Sequence, residues 1–119
     1  MMLHFEYTPE FKKDVKKLYK RWRSLPSDIK TAEAALQIVY SGDEEIYRQF
    51  FSTQRAAVIT KTDDAEVVKM RLDCKSLGND KKVRLIFIAI RTNKTVYLVE
   101  IFAKNDKTRE DPSRIRPFL

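Results

Sequence analysis

The sequence predicts an α+β fold in which an N-terminal strand and a helical hairpin pack on a largely antiparallel sheet. Three observations carry that prediction. A short alternating stretch opens the chain, two stretches with apolar residues every three or four positions follow, and the second half is a run of alternating or continuously apolar segments separated by turn residues. Helices grouped ahead of strands, rather than interleaved with them, belong on one face of an antiparallel sheet. At 119 residues, 43% of them hydrophobic and only 2 of them Gly, the chain suits one domain over 1–119 with a core of its own.

Leu3 to Tyr7 alternates Leu3, Phe5 and Tyr7 against His4 and Glu6, the period of a strand. Thr8-Pro9-Glu10 then reads as a helix start. Thr8 caps free amides, Pro9 sits where its missing N–H is harmless, and Glu10 faces the positive end of the helix dipole. Phe11, Val15, Leu18 and Trp22 fall on one stripe, while Lys12, Lys13, Lys16, Lys17, Lys20 and Arg21 cover the rest. Long cationic side chains are common on solvated helix faces, and nothing in the sequence alone requires these lysines to do more.

Leu25-Pro26 interrupts the helix, Ser27 or Asp28 offers a second cap, and Ile29, Ala32, Leu36 and Val39 make a second apolar stripe that ends at Ser41-Gly42. Residues 43–55 are ambiguous: Ile46 and Phe50 have helical spacing, but the segment is short and its acidic start equally suits a loop. Ala56 to Thr60 reads as a short strand and Asp63-Asp64 as a turn. Three strands follow. VVKMRLDC places Val68, Met70, Leu72 and Cys74 on one face and Val67, Lys69, Arg71 and Asp73 on the other. VRLIFIAI and TVYLVEIFAK are rich in β-branched and aromatic residues, as covered strands are. The connections KSLGNDKK and TNK have hairpin composition, so an antiparallel meander is the simplest topology. The tail KTREDPSRIRPFL is basic and polar until Ile115 and Phe118, and suits either a free end or a segment pinned to the sheet.

Composition narrows the chemistry. The one His and one Cys cannot build a metal site from His and Cys clusters, and a nucleophile pair would require His4 and Cys74 to meet. Two glycines cannot form a phosphate-cradling loop, so no nucleotide cofactor is expected. No apolar run approaches the roughly 20 residues of a membrane span, no secretory signal opens the chain, and a lone Cys suits a reducing cytoplasm. A formal net charge of +7 favours encounter with nucleic acid or an acidic protein, and the surplus lies in the two flanks around an acidic middle. Lys69, Arg71, Arg84 and Lys104 fall on strands or strand ends that an antiparallel sheet can bring toward one patch. Arg forks and Lys point charges together can orient a phosphodiester and stabilise charge that develops on it. Strand cations also serve simply to keep a sheet soluble.

The stretches EYTPEFKKDVKKLYKR, VVKMRLDC, KKVRLIFIAI and VYLVEIFAKND, in that order, resemble the RelE/ParE superfamily of toxin–antitoxin toxins, including its HigB-like members. The resemblance implies a metal-independent, ribosome-dependent messenger RNA endoribonuclease that inhibits translation. Its partners would be a cognate acidic antitoxin and messenger RNA on the ribosome, with no membrane and no small-molecule cofactor. It also implies attack by the ribose 2′-hydroxyl on the adjacent phosphate. Arg84 would stabilise the developing phosphorane, Lys69 and Arg71 would neutralise the backbone, and Lys104 or Lys107 would support proton transfer. Lys81, Lys82, Lys107, Arg109 and Phe118 would be RNA contacts. The RelE branch tends to carry a Tyr near the C-terminus, where this chain has none; Asp111 falls near that place and Phe118 can stack on a base. The segment Asp43 to Asp64 is longer and more acidic than the corresponding link in short members, and would cover the cleft or extend the helical face. Two alternatives follow from the same resemblance: a ParE-like inhibitor of DNA gyrase without nuclease activity, and a non-toxic RNA- or protein-binding relative.

Overall fold

A computed structural model describes residues 2–78 and 83–119. In chain order the elements are β1 (His4–Tyr7), α1 (Pro9–Tyr19), α2 (Leu25–Val39), α3 (Glu44–Ser52), β2 (Ala56–Lys61), β3 (Ala65–Leu72), β4 (Val83–Ile90), β5 (Thr95–Ala103) and a one-turn helix α4 (Pro112–Ile115). The α+β class holds. Strands β2 to β5 form the expected antiparallel meander, and β1 adds to the far edge, giving the order β1-β5-β4-β3-β2. β1 runs parallel to β5, because the helices between β1 and β2 carry the chain back across the sheet.

Thr8 acts as the helix cap, its Oγ1 accepting from Phe11 N at 3.2 Å. The second helix begins earlier than the sequence reading placed it. α2 starts at Leu25, since Pro26 is tolerated within a first turn and marks no break there. Asp28, proposed as a cap, instead lies buried inside that turn, where its carboxylate accepts from Ser24 Oγ at 2.7 Å and from Lys75 N at 3.2 Å. The ambiguous stretch resolves as α3, capped by Asp43 through Glu45 N and Ile46 N, and it buries none of its residues completely. Gly42 takes a φ of +105° in the turn that leads from α2 to α3, a conformation that favours glycine.

The sheet separates two apolar clusters. On the helix side, Phe11, Leu18, Trp22, Leu25, Ile29 and Leu36 meet Val68, Met70, Leu72, Leu85, Phe87 and Leu98. The alternation read from β3 is thereby realised, with Cys74 closing the same face as a buried thiol. On the other side a smaller cluster joins Val67, Ile86, Ile88, Val99 and Phe102 to Ile115 of the tail. The tail is therefore pinned across the sheet. α3 packs against α2 and β2 on the helix side, so the segment from Asp43 to Asp64 extends the helical face. Among the described residues no helix is long and apolar enough to cross a membrane.

Phe87 is fully buried at the middle of β4, edge-on to Tyr40 at 6.3 Å. Phe87→Ala is expected to destabilise the fold by about 3–5 kcal/mol in a denaturant titration, the range for a buried aromatic truncation. A loss below about 1 kcal/mol would mean that the two layers do not meet there.

Candidate functional site

Period-two geometry puts Lys69 and Arg71 of β3 on the face away from α1 and α2. The β3–β4 register then sets Arg71 directly opposite Arg84. Two guanidinium groups on adjacent cross-strand positions repel, and such like-charge pairs cost stability. Partial burial pushes the Arg84 guanidinium below its usual range and the neighbouring Arg71 charge pushes it further. Arg84 also donates from Nη1 to its neighbour Val83 O at 3.4 Å, so the fork is part-buried and oriented along the strand end.

Lys69 is held by the tail. Its Nζ donates to Thr108 O and to Glu110 Oε1, both at 3.3 Å, and lies 5.7 Å from the Phe102 ring centre. Burial pushes the Glu110 carboxyl up, but the hydrogen bond from its own backbone amide and the Lys69 ammonium outweigh it and hold the group below the usual carboxylate range. Lys107 forms an ion pair with Glu100, which is 2% exposed, and sits 5.1 Å from the same Phe102 ring. The second Glu100 oxygen accepts from Asp111 N at 2.8 Å. Asp111 then caps α4, accepting from Ser113 N and Oγ at 3.0 and 2.7 Å. These bonds, with Arg114 and Lys107 nearby, hold the Asp111 carboxyl low.

The structure brings Lys69, Arg71 and Arg84 together on one face, as the strand pattern led us to expect. Other candidates are placed differently. β5 ends at Ala103, so Lys104 stands in the exposed turn beyond it and, among the described residues, forms no salt bridge. Lys107 is neutralised by Glu100, and Arg109 is exposed on the tail. Phe118 packs on Tyr97 with ring centres 4.9 Å apart. Tyr97 and Phe102 are five positions apart on β5, so this stack lies roughly 17 Å along the strand from the Arg84 end at about 3.3 Å per residue. Lys81 and Lys82 lie outside the described residues. The sequence reading missed Glu100 and Glu110. A lone acid inside the apolar run VYLVEIFAK was the available signal for Glu100, since a buried carboxylate demands a partner.

A second polar feature occupies the other end and the other face of the sheet. Glu66, 9% exposed, accepts from Tyr40 Oη at 2.6 Å and Tyr47 Oη at 2.7 Å. Burial first, and then the Glu66 carboxylate, push both phenols well above their ordinary value. The cleft beside them, about 280 Å³, is rimmed by Lys61, Arg91 and Lys94 as well as Asp63 and Asp64. Among the described residues no group of three His, Cys, Asp or Glu side chains gathers with metal-binding geometry.

No family model matches the sequence, and no curated protein matches it. A solved structure does: the crystal structure of the archaeal RelE–RelB complex from Pyrococcus horikoshii OT3, at 15% identity, covering 90% of this chain and 100% of that one with a TM-score of 0.54. The fold of the chain is thus RelE-like.

Because the Glu110 carboxyl is depressed in the folded protein, its contribution to stability is fully present above the unfolded value near 4.5 and is lost as pH falls through the lower, folded value. Glu110→Gln is therefore expected to cost about 0.5–1 kcal/mol at neutral pH, the scale of a partly solvated pair, and nothing once the wild-type carboxyl is protonated. Parallel denaturant titrations at the two pH values read this directly. A difference that persists at the acid end would assign it to packing instead.

Proposed function

We propose that the chain is the toxin of a toxin–antitoxin pair, a RelE-type endoribonuclease that engages RNA on the sheet face carrying Lys69, Arg71 and Arg84. One observation carries this reading: Arg71 and Arg84 are direct cross-strand neighbours, so two guanidinium forks stand where one phosphate can meet both. The likeness to a RelE solved together with its RelB supports an antitoxin partner, one whose acidic surface would cover the same cations.

In this reading the ribose 2′-hydroxyl gives up its proton and attacks the adjacent phosphorus, charge builds on the non-bridging oxygens of a phosphorane, and the P–O5′ bond breaks to leave a 2′,3′-cyclic phosphate and a 5′-hydroxyl that takes up a proton. The part-buried Arg84 fork stabilises that charge, because a pre-oriented donor in a poorly solvated site needs little rearrangement as the charge appears. Arg71 neutralises the same phosphate from across the strand pair, and Lys69 serves the neighbouring backbone once RNA competes with Glu110 for it. Glu110 is an ionised carboxylate close to these cations, which makes it a candidate proton acceptor beside Lys104 and Lys107.

A second reading, a ParE-like protein that binds gyrase and cleaves nothing, draws on the same geometry. Lys69 and Lys107 are already paired with Glu110 and Glu100, and a depressed carboxylate is a weak base.

Expression of the chain alone is expected to arrest growth with cleaved messenger RNA, and Arg84→Ala is expected to lower cleavage by about 10²–10³-fold, the usual cost of one oxyanion donor. Arrest with intact messenger RNA and damaged DNA would select the gyrase reading. A well-folded wild type without any effect on growth would remove both.

A further inference from the structure

The positive charge of this protein is not where its strands alone would place it. Four cations outside α1 meet internal acids: Lys69 with Glu110, Lys107 with Glu100, Arg55 with Asp73 and Arg114 with Asp14. Helix α1 is different. Lys12, Lys13, Lys16, Lys17 and Lys20 are all exposed, and among the described residues none of them forms a salt bridge or a ring contact. The helix periodicity sets them on one side, with Phe11 and Leu18 buried on the other. Of the two acids of α1, Asp14 is turned toward Arg114 at 2.5 Å, and Glu10 of the first turn is exposed and forms no salt bridge among the described residues. Much of the +7 surplus is therefore concentrated on one solvent-facing helix surface.

We infer that the exposed face of α1 is a second docking surface, separate from the Arg71–Arg84 face, and that its ligand is the phosphate backbone of structured RNA. Lys12, Lys16 and Lys20 follow one ridge, each one turn or about 6 Å beyond the last, with Lys13 and Lys17 on the ridge beside it. A row of compact charges on flexible stems matches a backbone that repeats its charge along a line, and it reads no sequence. An acidic protein is the weaker fit. Interfaces between proteins are depleted in Lys at their centres and are anchored by buried aromatic or apolar side chains. The large apolar side chain that α1 exposes is Tyr19, and the Arg23 guanidinium lies over its ring at 4.7 Å. That pair serves an unpaired base better than a protein pocket, since an aromatic ring with a cation beside it offers a stacking face next to a phosphate.

This inference goes beyond the proposed reaction, because docking through α1 needs no cleavage. The test uses the full chain with Arg84→Ala, so that binding is read apart from activity. In that background Lys12→Gln, Lys13→Gln, Lys16→Gln and Lys17→Gln are combined, and affinity for a hairpin RNA is followed by fluorescence anisotropy between about 50 and 200 mM salt. The slope of log affinity against log salt is expected to fall by about 0.7 to 0.9 for each lysine that lies against a phosphate, with binding at low salt weakened at least about tenfold. All four positions are exposed, and the Lys→Arg set at the same positions is expected to restore the slope. Unchanged affinity and slope in the glutamine variant would overturn the inference. So would unchanged RNA binding accompanied by lost binding of polyglutamate, which would give the face to an acidic protein.

Discussion

Only part of β5 has a strand beside it on its outer edge. β1 pairs with Thr95 to Leu98 and then turns into α1 at Thr8, whose amide still reaches Leu98 O. From Val99 onward the edge of a largely buried strand would present unpaired backbone groups, and burial of such groups without partners is costly. Two side chains complete it. Asp14 of α1 accepts from Ile101 N at 3.1 Å, and Arg114 of the tail donates to Val99 O at 3.1 Å. The two then bind each other through both terminal guanidinium nitrogens, which raises Arg114 above its usual value. The edge of one strand thus fixes where α1 lies and where the tail returns.

The placement of the candidate site follows from that clasp. With Arg114 anchored, the preceding residues 107–111 must run over the face opposite the helices, and there they supply Glu110 to Lys69 and Thr108 O to the same ammonium. Phe102 lies under both Lys69 and Lys107, so the two ammonium groups share one aromatic floor. Glu100, almost fully buried, is tolerable because Lys107 and Asp111 N satisfy its two oxygens. On the same face Arg71 and Arg84 stand directly opposite each other, two like charges at one cross-strand position. The same clasp removes Asp14 from the outer surface of α1 and leaves five lysines there beside Glu10.

Much of the architecture was legible in the residues. Thr8-Pro9-Glu10 marked a helix start because capping is local chemistry, and the alternation of Val68, Met70 and Leu72 against Lys69 and Arg71 fixed the faces of β3 because strand periodicity is exact. Features set by distant contacts were not. α3 escaped a firm reading because its apolar side chains are only half-buried, held by Tyr47 on Glu66 and by aromatic contacts among Tyr47, Phe50 and Phe51. The parallel pairing of β1 with β5 depends on the path of three helices, which no local pattern encodes. For the site, residue type and period brought Lys69, Arg71 and Arg84 together, while the pairs Lys69–Glu110 and Lys107–Glu100 each join a strand to a tail whose course the sequence left open. Lys104 was misplaced by a single residue, since a strand end is set by pairing and β5 stops with Ala103 opposite Val83.

Arg71 and Arg84 are proposed as the phosphate-binding centre of the face that the tail crosses. The most direct measurement is an NMR titration of the wild-type chain, held with a non-cleavable single-stranded oligoribonucleotide, that follows the guanidinium resonances of both arginines. On this account both shift together and saturate with the RNA, and the Lys69 resonance moves as Glu110 is displaced. If both guanidinium signals stay in place while the RNA saturates elsewhere on the protein, including beside Glu66, Tyr40 and Tyr47, the account is wrong.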